Sequence, residues 1–189
     1  MTETVWDWEV LNAVKPLWVR PEGDVKPEEY KEFYKSATKD YTDPLKWAHF
    51  SAEGEIEFKA LLYIPAVQPP GMFDGSGKKD NMRLFVRRVF ITDDFSDILP
   101  KYLSFIKGLV DSDDLPLNVS REQLQQHKTL KIIKKKLVRK AIAMFQELQQ
   151  AGGSDWDKFY ELFSTNIKLG VIEDAGKLNE CLLVFFSSS

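Results

Sequence analysis

The stretch Asp111-Ser-Asp-Asp-Leu-Pro-Leu-Asn-Val-Ser-Arg-Glu-Gln-Leu-Gln-Gln-His-Lys128 contains the start of a long helix. Ser120 is a typical N-cap residue, and Gln123 three positions later completes a capping box. Arg121 then falls at the first helical position, where the positive end of the helix dipole disfavours a cation. A residue that breaks a local rule in this way indicates a functional position.

Arg121 has the chemistry of an anion contact. Free backbone amides at a helix start bind anions, and a guanidinium offers a forked donor suited to phosphate. Gln125 lies four residues further on and therefore shares the helical face of Arg121. The alternative is an exposed arginine that pairs with a nearby carboxylate, such as Asp113 or Asp114.

The helical pattern continues from Ser120 to about Gln150 and then restarts. Apolar residues at helical spacing predict the buried face: Leu130, Ile133, Leu137, Ala141, Met144 and Leu148. The break Ala151-Gly-Gly-Ser154 separates this helix from a second one, which Ser154 caps and Gly170 ends. The second apolar stripe consists of Trp156, Phe159, Tyr160 and Phe163. A third helix is predicted to start at Pro100, with Leu103, Ile106 and Val110 towards the core.

Period-two alternation predicts strands before these helices. The range 50–64 predicts one strand, with a bend at Gly54 within or before it and with Ile56, Phe58, Ala60, Leu62 and Ile64 on the buried face. The next strand has Met82, Leu84 and Val86 inward and then changes phase, so that Val89 and Ile91 take the apolar positions; a bulge at Arg87 or Arg88 would explain the shift. Residues 1–48 predict an aromatic clamp with a helix from Pro27 that buries Tyr30, Phe33 and Tyr34.

This order of elements predicts an α/β layered domain over residues 1–150 and a helical connector over residues 151–189. The 189 residues, with 43% hydrophobic and 29% charged, suit an ordinary globular chain, and a net charge of −3 argues against nucleic-acid binding over the whole surface. The single cysteine, Cys181, excludes an internal disulfide, and no apolar run reaches the roughly eighteen residues of a membrane span. No metal motif, catalytic triad or glycine-rich phosphate loop is found.

A basic stripe lies opposite the apolar face of the long helix. It consists of Lys128, Lys131, Lys135 and Arg139, flanked by Lys134, Lys136 and Lys140. The stripe is interpreted as a solvated face that also contacts acidic protein segments. The alternative is a surface for nucleic acid or anionic lipid, which the lack of interleaved aromatic residues disfavours.

Three motifs together resemble the middle domain of the ninety-kilodalton heat-shock chaperones. They are Val86-Arg-Arg-Val-Phe-Ile-Thr-Asp93, the run from Tyr102 to Arg121, and Asn166-Ile-Lys-Leu-Gly-Val-Ile-Glu-Asp174. Trp6-Asp-Trp-Glu9, the range 92–95 and Leu124-Gln-Gln-His-Lys128 are most similar to the endoplasmic-reticulum branch of that family. The resemblance extends from Trp6 to about Asp174. The tail after it departs from the family pattern, with Val184 where an arginine is usual.

The resemblance implies a large αβα sandwich with a mixed sheet, followed by a short helical coil. It also implies that ATP, with its magnesium ion, is bound mainly by a separate N-terminal domain of a longer chain. Arg121 matches the arginine that contacts the γ-phosphate, with Gln125 and Asn118 in the same catalytic loop, and Arg121 and Gln125 as the nucleotide contacts. The fragment alone is then not an enzyme but part of an ATPase.

The same resemblance implies client and subunit partners. Trp18 matches a tryptophan implicated in client contact, although a core or clamp position is the usual outcome for a lone tryptophan. Met72 and Phe73, on a long loop, are further candidates for contact with unfolded clients. The expected assembly is a homodimer through a C-terminal domain in the endoplasmic reticulum lumen, or alternatively in the cytoplasm, without nucleic acid or membrane partners. The sequon at Asn118 is expected to stay unglycosylated, because a glycan there would obstruct the ATP site.

Overall fold

The computed structural model describes residues 15–69, 81–93, 95, 98–116 and 128–173. Within them, a five-stranded sheet has the order β1-β2-β5-β3-β4. Neighbouring strands are antiparallel except β3 and β5, which are parallel. The strands are β1 Lys46–Ala52, β2 Phe58–Ile64, β3 Met82–Val86, β4 Val89–Thr92 and β5 Lys107–Ser112, and the helices are α1 Pro27–Thr38, α2 Lys128–Ala151 and α3 Gly153–Glu173.

The sheet is covered on both faces, which confirms the αβα sandwich with a mixed sheet. Alternate residues of β2 face opposite layers, as the pleat of a strand requires. Leu62 packs in the larger core with α2 and α3. Leu61 and Tyr63 pack in a smaller core with α1 and the turn Leu17–Val19.

The aromatic clamp of the N-terminal segment is confirmed for its described part. Pro27 opens α1, as its fixed φ favours at the first helical position. Tyr30 and Tyr34 are buried against the sheet. The Tyr63 hydroxyl donates to the Tyr30 carbonyl at 2.9 Å, and the Tyr34 and Tyr63 rings lie 5.1 Å apart. These contacts attach α1 to β2.

A surface cluster on α1 makes a testable pH prediction. The ammonium groups of Lys31 and Lys35 lie 2.8 and 2.7 Å from the Asp43 carboxylate and hold its pKa at about 2. An unfolded aspartate has a pKa of about 3.9, so this small exposed contribution to stability is present above pH 4 and lost as the pH falls towards 2. NMR titration should give a carboxyl midpoint near 2, and near 4 when Lys31 and Lys35 are both changed to methionine. A midpoint near 4 in the unchanged protein would refute the cluster.

The long helix buries the residues that the sequence predicts, and its partner buries half of its predicted stripe. All six core positions of α2 are buried, and so are Phe159 and Phe163 of α3, whereas Trp156 and Tyr160 are partly exposed. The Phe105 and Phe163 rings stack with centroids 4.1 Å apart, and Phe159 lies 4.9 Å from Phe145. These α3 side chains share the core with the sheet. The division of the chain into two parts at residue 150 stays a prediction.

The helix predicted to start at Pro100 is wrong. A short 3-10 turn, Lys101–Leu103, is followed directly by the central strand β5. Leu109 faces one core and Val110 the other. Because both faces of this strand are covered, its apolar residues are not separated by polar ones, and such a run is easily mistaken for a helix.

Two strand predictions also need correction. The range 50–64, predicted as one strand, contains the end of β1 and all of β2. Gly54, with φ of 126°, lies between them, which agrees with the alternative of a bend before the strand. At the second site, Leu84 pairs with Thr92 and Phe85 with Phe90, so the bulge lies at Ile91 and not at the arginines. Val89 is half exposed instead of buried.

The predicted stop at Gly170 is also wrong, since α3 continues to Glu173. Gly170 packs against the Tyr102 ring, where a Cβ atom would lie 2.7 Å from the nearest ring carbon. Gly170 therefore allows α3 to approach the Tyr102 ring closely, and it does not end the helix. Ser154 lies inside α3 and does not precede it, because the helix already starts at Gly153.

Candidate functional site at the end of strand β5

The carboxyl end of the central strand β5 meets the β1–β2 connection at one end of the sheet. The region formed by residues 53–57, 87–88 and 111–116 is called the corner. The Ser112 hydroxyl donates to the Glu57 carbonyl at 3.3 Å and accepts from the Asp114 amide at 3.3 Å. The Glu57 amide donates to Asp114 Oδ2 at 2.6 Å. These bonds fix the path of the chain as it leaves the sheet.

The tight turn between β3 and β4 lies at the same corner. Arg87 and Arg88 both have positive φ, 50° and 67°, a conformation that favours asparagine or glycine. The Arg87 amide donates to the Ser112 carbonyl at 3.3 Å, and its Nε donates to the Asp113 carbonyl at 3.2 Å. The strained turn is thus held against the end of β5.

Asp111 joins this corner to the N-terminal clamp. Its carboxylate accepts from the Arg88 amide at 3.1 Å through Oδ1 and from the Trp18 indole at 2.9 Å through Oδ2. The residue is only 6% exposed. The sequence places Asp111 in an acidic loop, whereas it belongs to the strand and follows Leu109 on the clamp face. The two-residue spacing from Leu109 is the signal that a strand prediction here would have used.

Trp18 is held inside the clamp. It is 9% exposed, and its ring centroid lies 4.9 Å from that of Phe85 and 5.8 Å from that of Phe33. Its carbonyl accepts from His49 Nε2 at 3.1 Å, while the Tyr30 hydroxyl bonds to His49 Nδ1 at 2.7 Å. This placement matches the clamp alternative and not an exposed ring, so client contact by Trp18 stays a prediction.

The family of the chain is decided by comparison with known proteins. A family model described as Hsp90 protein matches residues 1–189. The chain belongs to the Hsp90 family.

The relatives of this Hsp90-family chain are considerably longer than it is. An endoplasmin homolog of Caenorhabditis elegans is 58% identical over 189 residues, which cover 99% of this chain and 24% of that protein. An endoplasmin homolog of Arabidopsis thaliana is 49% identical over 202 residues, covering 94% of this chain and 24% of that protein. The chain thus spans about a quarter of the length of these relatives.

A solved structure supports the fold of this Hsp90-family chain. It is described as the middle domain of a Plasmodium falciparum heat shock protein, and it matches with a TM-score of 0.75 and 37% sequence identity. The match covers 88% of this chain and 63% of that one. The predicted family and the predicted fold class are therefore both confirmed.

The predicted catalytic and loop residues lie outside the described part of this Hsp90-family chain. They are Asn118, Arg121 and Gln125 in one segment, and Met72 and Phe73 in another. The corner at β5 ends with Pro116, and the next described residue is Lys128 of α2. The tail 175–189 and the sequon at Asn118 are outside as well. Their assigned roles stay predictions.

The basic stripe of α2 is exposed, as the sequence predicts. The exposed residues are Lys128, Lys131, Lys135 and Arg139. Lys136 and Lys140 lie over the Phe58 and Phe50 rings, each 5.9 Å from the ring centroid. Their stems cover the edge of the core, while the stripe faces solvent.

Neither a metal cluster nor a membrane helix is found in the part of the chain that the structure describes. No three histidine, cysteine, aspartate or glutamate residues there are grouped so that they could hold an ion. None of the described helices is long and apolar enough to cross a bilayer.

Proposed function

We propose that this chain is the middle domain of an ATP-dependent chaperone and that it completes an ATP site formed mainly by an N-terminal domain. The Hsp90-family match over all 189 residues is the observation that carries this proposal. The coverage of about a quarter of the relatives' length supports a partner domain in the same longer chain.

Arg121 is the residue that would act on ATP. The bond network at the end of β5 fixes the strand from which the segment containing Arg121 continues. Its guanidinium would contact the γ-phosphate and stabilise negative charge on the transferring phosphoryl oxygens. Gln125 and Asn118 would add neutral donors in the same segment. The N-terminal domain would supply the general base and hold ATP with its magnesium ion.

Client binding is the second part of the proposed function. Met72 and Phe73 are apolar side chains that would contact unfolded or partly folded proteins, and Trp18 would join them only if the clamp released its ring. The full-length protein would be a homodimer through a C-terminal domain. The similarity to endoplasmin homologs favours the endoplasmic reticulum lumen over the cytoplasm.

The isolated chain is expected to bind ATP weakly or not at all and to show no significant turnover. Its sequence contains no phosphate-binding loop, and a single arginine contact cannot hold a whole nucleotide. Isothermal titration calorimetry on the isolated chain, with the full-length protein as positive control, measures this directly. Tight stoichiometric binding to the isolated chain would contradict the proposal.

The exposed basic stripe of α2 supports a second candidate, a non-enzymatic module that docks nucleic acid or an acidic protein segment. Phosphate contacts by lysines would make nucleic-acid affinity fall steeply with added salt. We expect no binding of mixed-sequence nucleic acid at physiological salt, measured by fluorescence anisotropy. Salt-sensitive binding that disappears when Lys131 and Lys135 become glutamate would favour this candidate instead.

A further inference from the structure

Asp111 is a buried carboxylate that the proposed chemistry does not use. It lies at the end of β5, and its two oxygens accept from two different elements, the clamp and the β3–β4 turn. Buried acidic residues are retained only when they are well bonded, since burial without partners is costly. A carboxylate that joins three elements at one corner therefore has a specific structural task.

We propose that Asp111 is a positioning residue, which ties Trp18 and Arg88 to the end of β5 and so orients the chain that continues towards Arg121. This inference rests on the proposed function of Arg121. Asp111 acts through the strand end and not by contact with the nucleotide. Trp18 and Arg88 act with it, one through the indole N–H and the other through the backbone amide.

The character of the corner supports this role. The connections around Asp111 contain exposed residues, in the ranges 53–55, 87–90 and 113–114. Ile56 and Leu115, next to them, are buried in the larger core. The exposed residues Arg87, Arg88 and Asp114 are held by directional hydrogen bonds and not by apolar packing. The neighbouring Ser112 side chain bonds to Glu57 and Asp114. Asp114 lies two residues before Pro116, the last described residue before α2. Arg88, whose amide Asp111 holds, is next to Arg87, and Arg87 donates to the Ser112 and Asp113 carbonyls. A change at Asp111 is therefore transmitted through the β3–β4 turn to the exit path.

Asp111→Asn in the full-length protein tests the proposal. One oxygen becomes an NH2 group, so either the Trp18 indole or the Arg88 amide faces another donor and loses its partner. We expect kcat for ATP to fall on the order of tenfold, because small misplacements of a catalytic group are costly, with nucleotide affinity unchanged. Trp18→Phe keeps a ring in the clamp and removes only the donor, so it should lower kcat in the same direction.

Tyr34→Phe is the matched control. It removes a buried hydroxyl of the same helix α1, which donates to Asp40 at 2.7 Å and makes no bond to Trp18, to His49 or to the end of β5. It should lower the melting temperature and leave kcat unchanged.

Each result bears on the proposal. Equal loss of kcat in Tyr34→Phe, or unchanged kcat in both Trp18→Phe and Asp111→Asn, would overturn it. If Asp111→Asn does not fold, Trp18→Phe decides the question by the same comparison. Arg121→Ala, measured alongside, separates the two proposals: slow turnover there with normal turnover in Trp18→Phe and Asp111→Asn rejects only the positioning role of Asp111. Normal turnover in Arg121→Ala rejects the proposed function of Arg121 itself.

Discussion

Replacing Arg121 with alanine in the full-length protein is expected to lower ATP turnover by about two orders of magnitude or more. That scale is typical of removing a preorganised donor from a transferring phosphate. Nucleotide affinity should change little, because the N-terminal domain makes most of the contacts with ATP. Turnover, ATP binding and melting temperature should be measured on the same pair of proteins.

Arg139→Ala is the matched control for this experiment. Arg139 lies exposed on the basic stripe of α2, so its loss removes the same charge from the same domain without touching the proposed site. It should leave turnover unchanged. Unchanged turnover in Arg121→Ala, or a large drop in its melting temperature, would assign Arg121 a structural role.

Replacing Gly108 with alanine is expected to destabilise the isolated domain by about 3 kcal/mol or more, the upper end of the cost of overpacking a core. A Cβ atom at this position would lie 2.1 Å from the Leu61 carbonyl oxygen, so strands β5 and β2 could not keep their spacing. The Gly108 amide also donates to the Asn81 carbonyl at 2.8 Å. A shift that relieved the clash would therefore strain the pairing with β3 as well.

Urea denaturation of the isolated domain measures this effect. Gly23→Ala is the control, because a Cβ atom there meets no other atom within 4 Å. Gly23→Ala should leave the denaturation midpoint nearly unchanged. A similar midpoint for Gly108→Ala would mean that the sheet can widen at this glycine, which contradicts the close approach.

Regular patterns made much of the fold predictable from the sequence. The core face of α2 follows a 3.6-residue period from Leu130 to Leu148, and all six predicted positions are buried. The inward side of β3, from Met82 to Val86, follows a clean alternation. In both elements one face meets solvent or a thinner layer, so periodicity and burial agree.

The strand β5 is not predictable from such a pattern. Both of its faces are covered, so Leu109 and Val110 are adjacent and buried in different cores. The sequence predicts a loop at Asp111, because an acidic residue beside Asp113 and Asp114 suggests exposure to solvent. Its true partners, Trp18 and Arg88, are distant in sequence, and only tertiary structure brings them together. The phosphate role of Arg121 came from the family resemblance and its unfavourable place in the helix, and it remains a proposal.

The position of β5 in the sheet also determines how the domain can form during synthesis. β1 pairs with β2 and β3 pairs with β4 as local hairpins, but the two hairpins are joined only through β5, which is translated after both. Until residue 112 has left the ribosome, the inner edges of β2 and β3 have no strand to pair with. Such open edges favour pairing with other chains. A domain proposed to protect unfolded proteins is itself exposed to misassembly until β5 arrives.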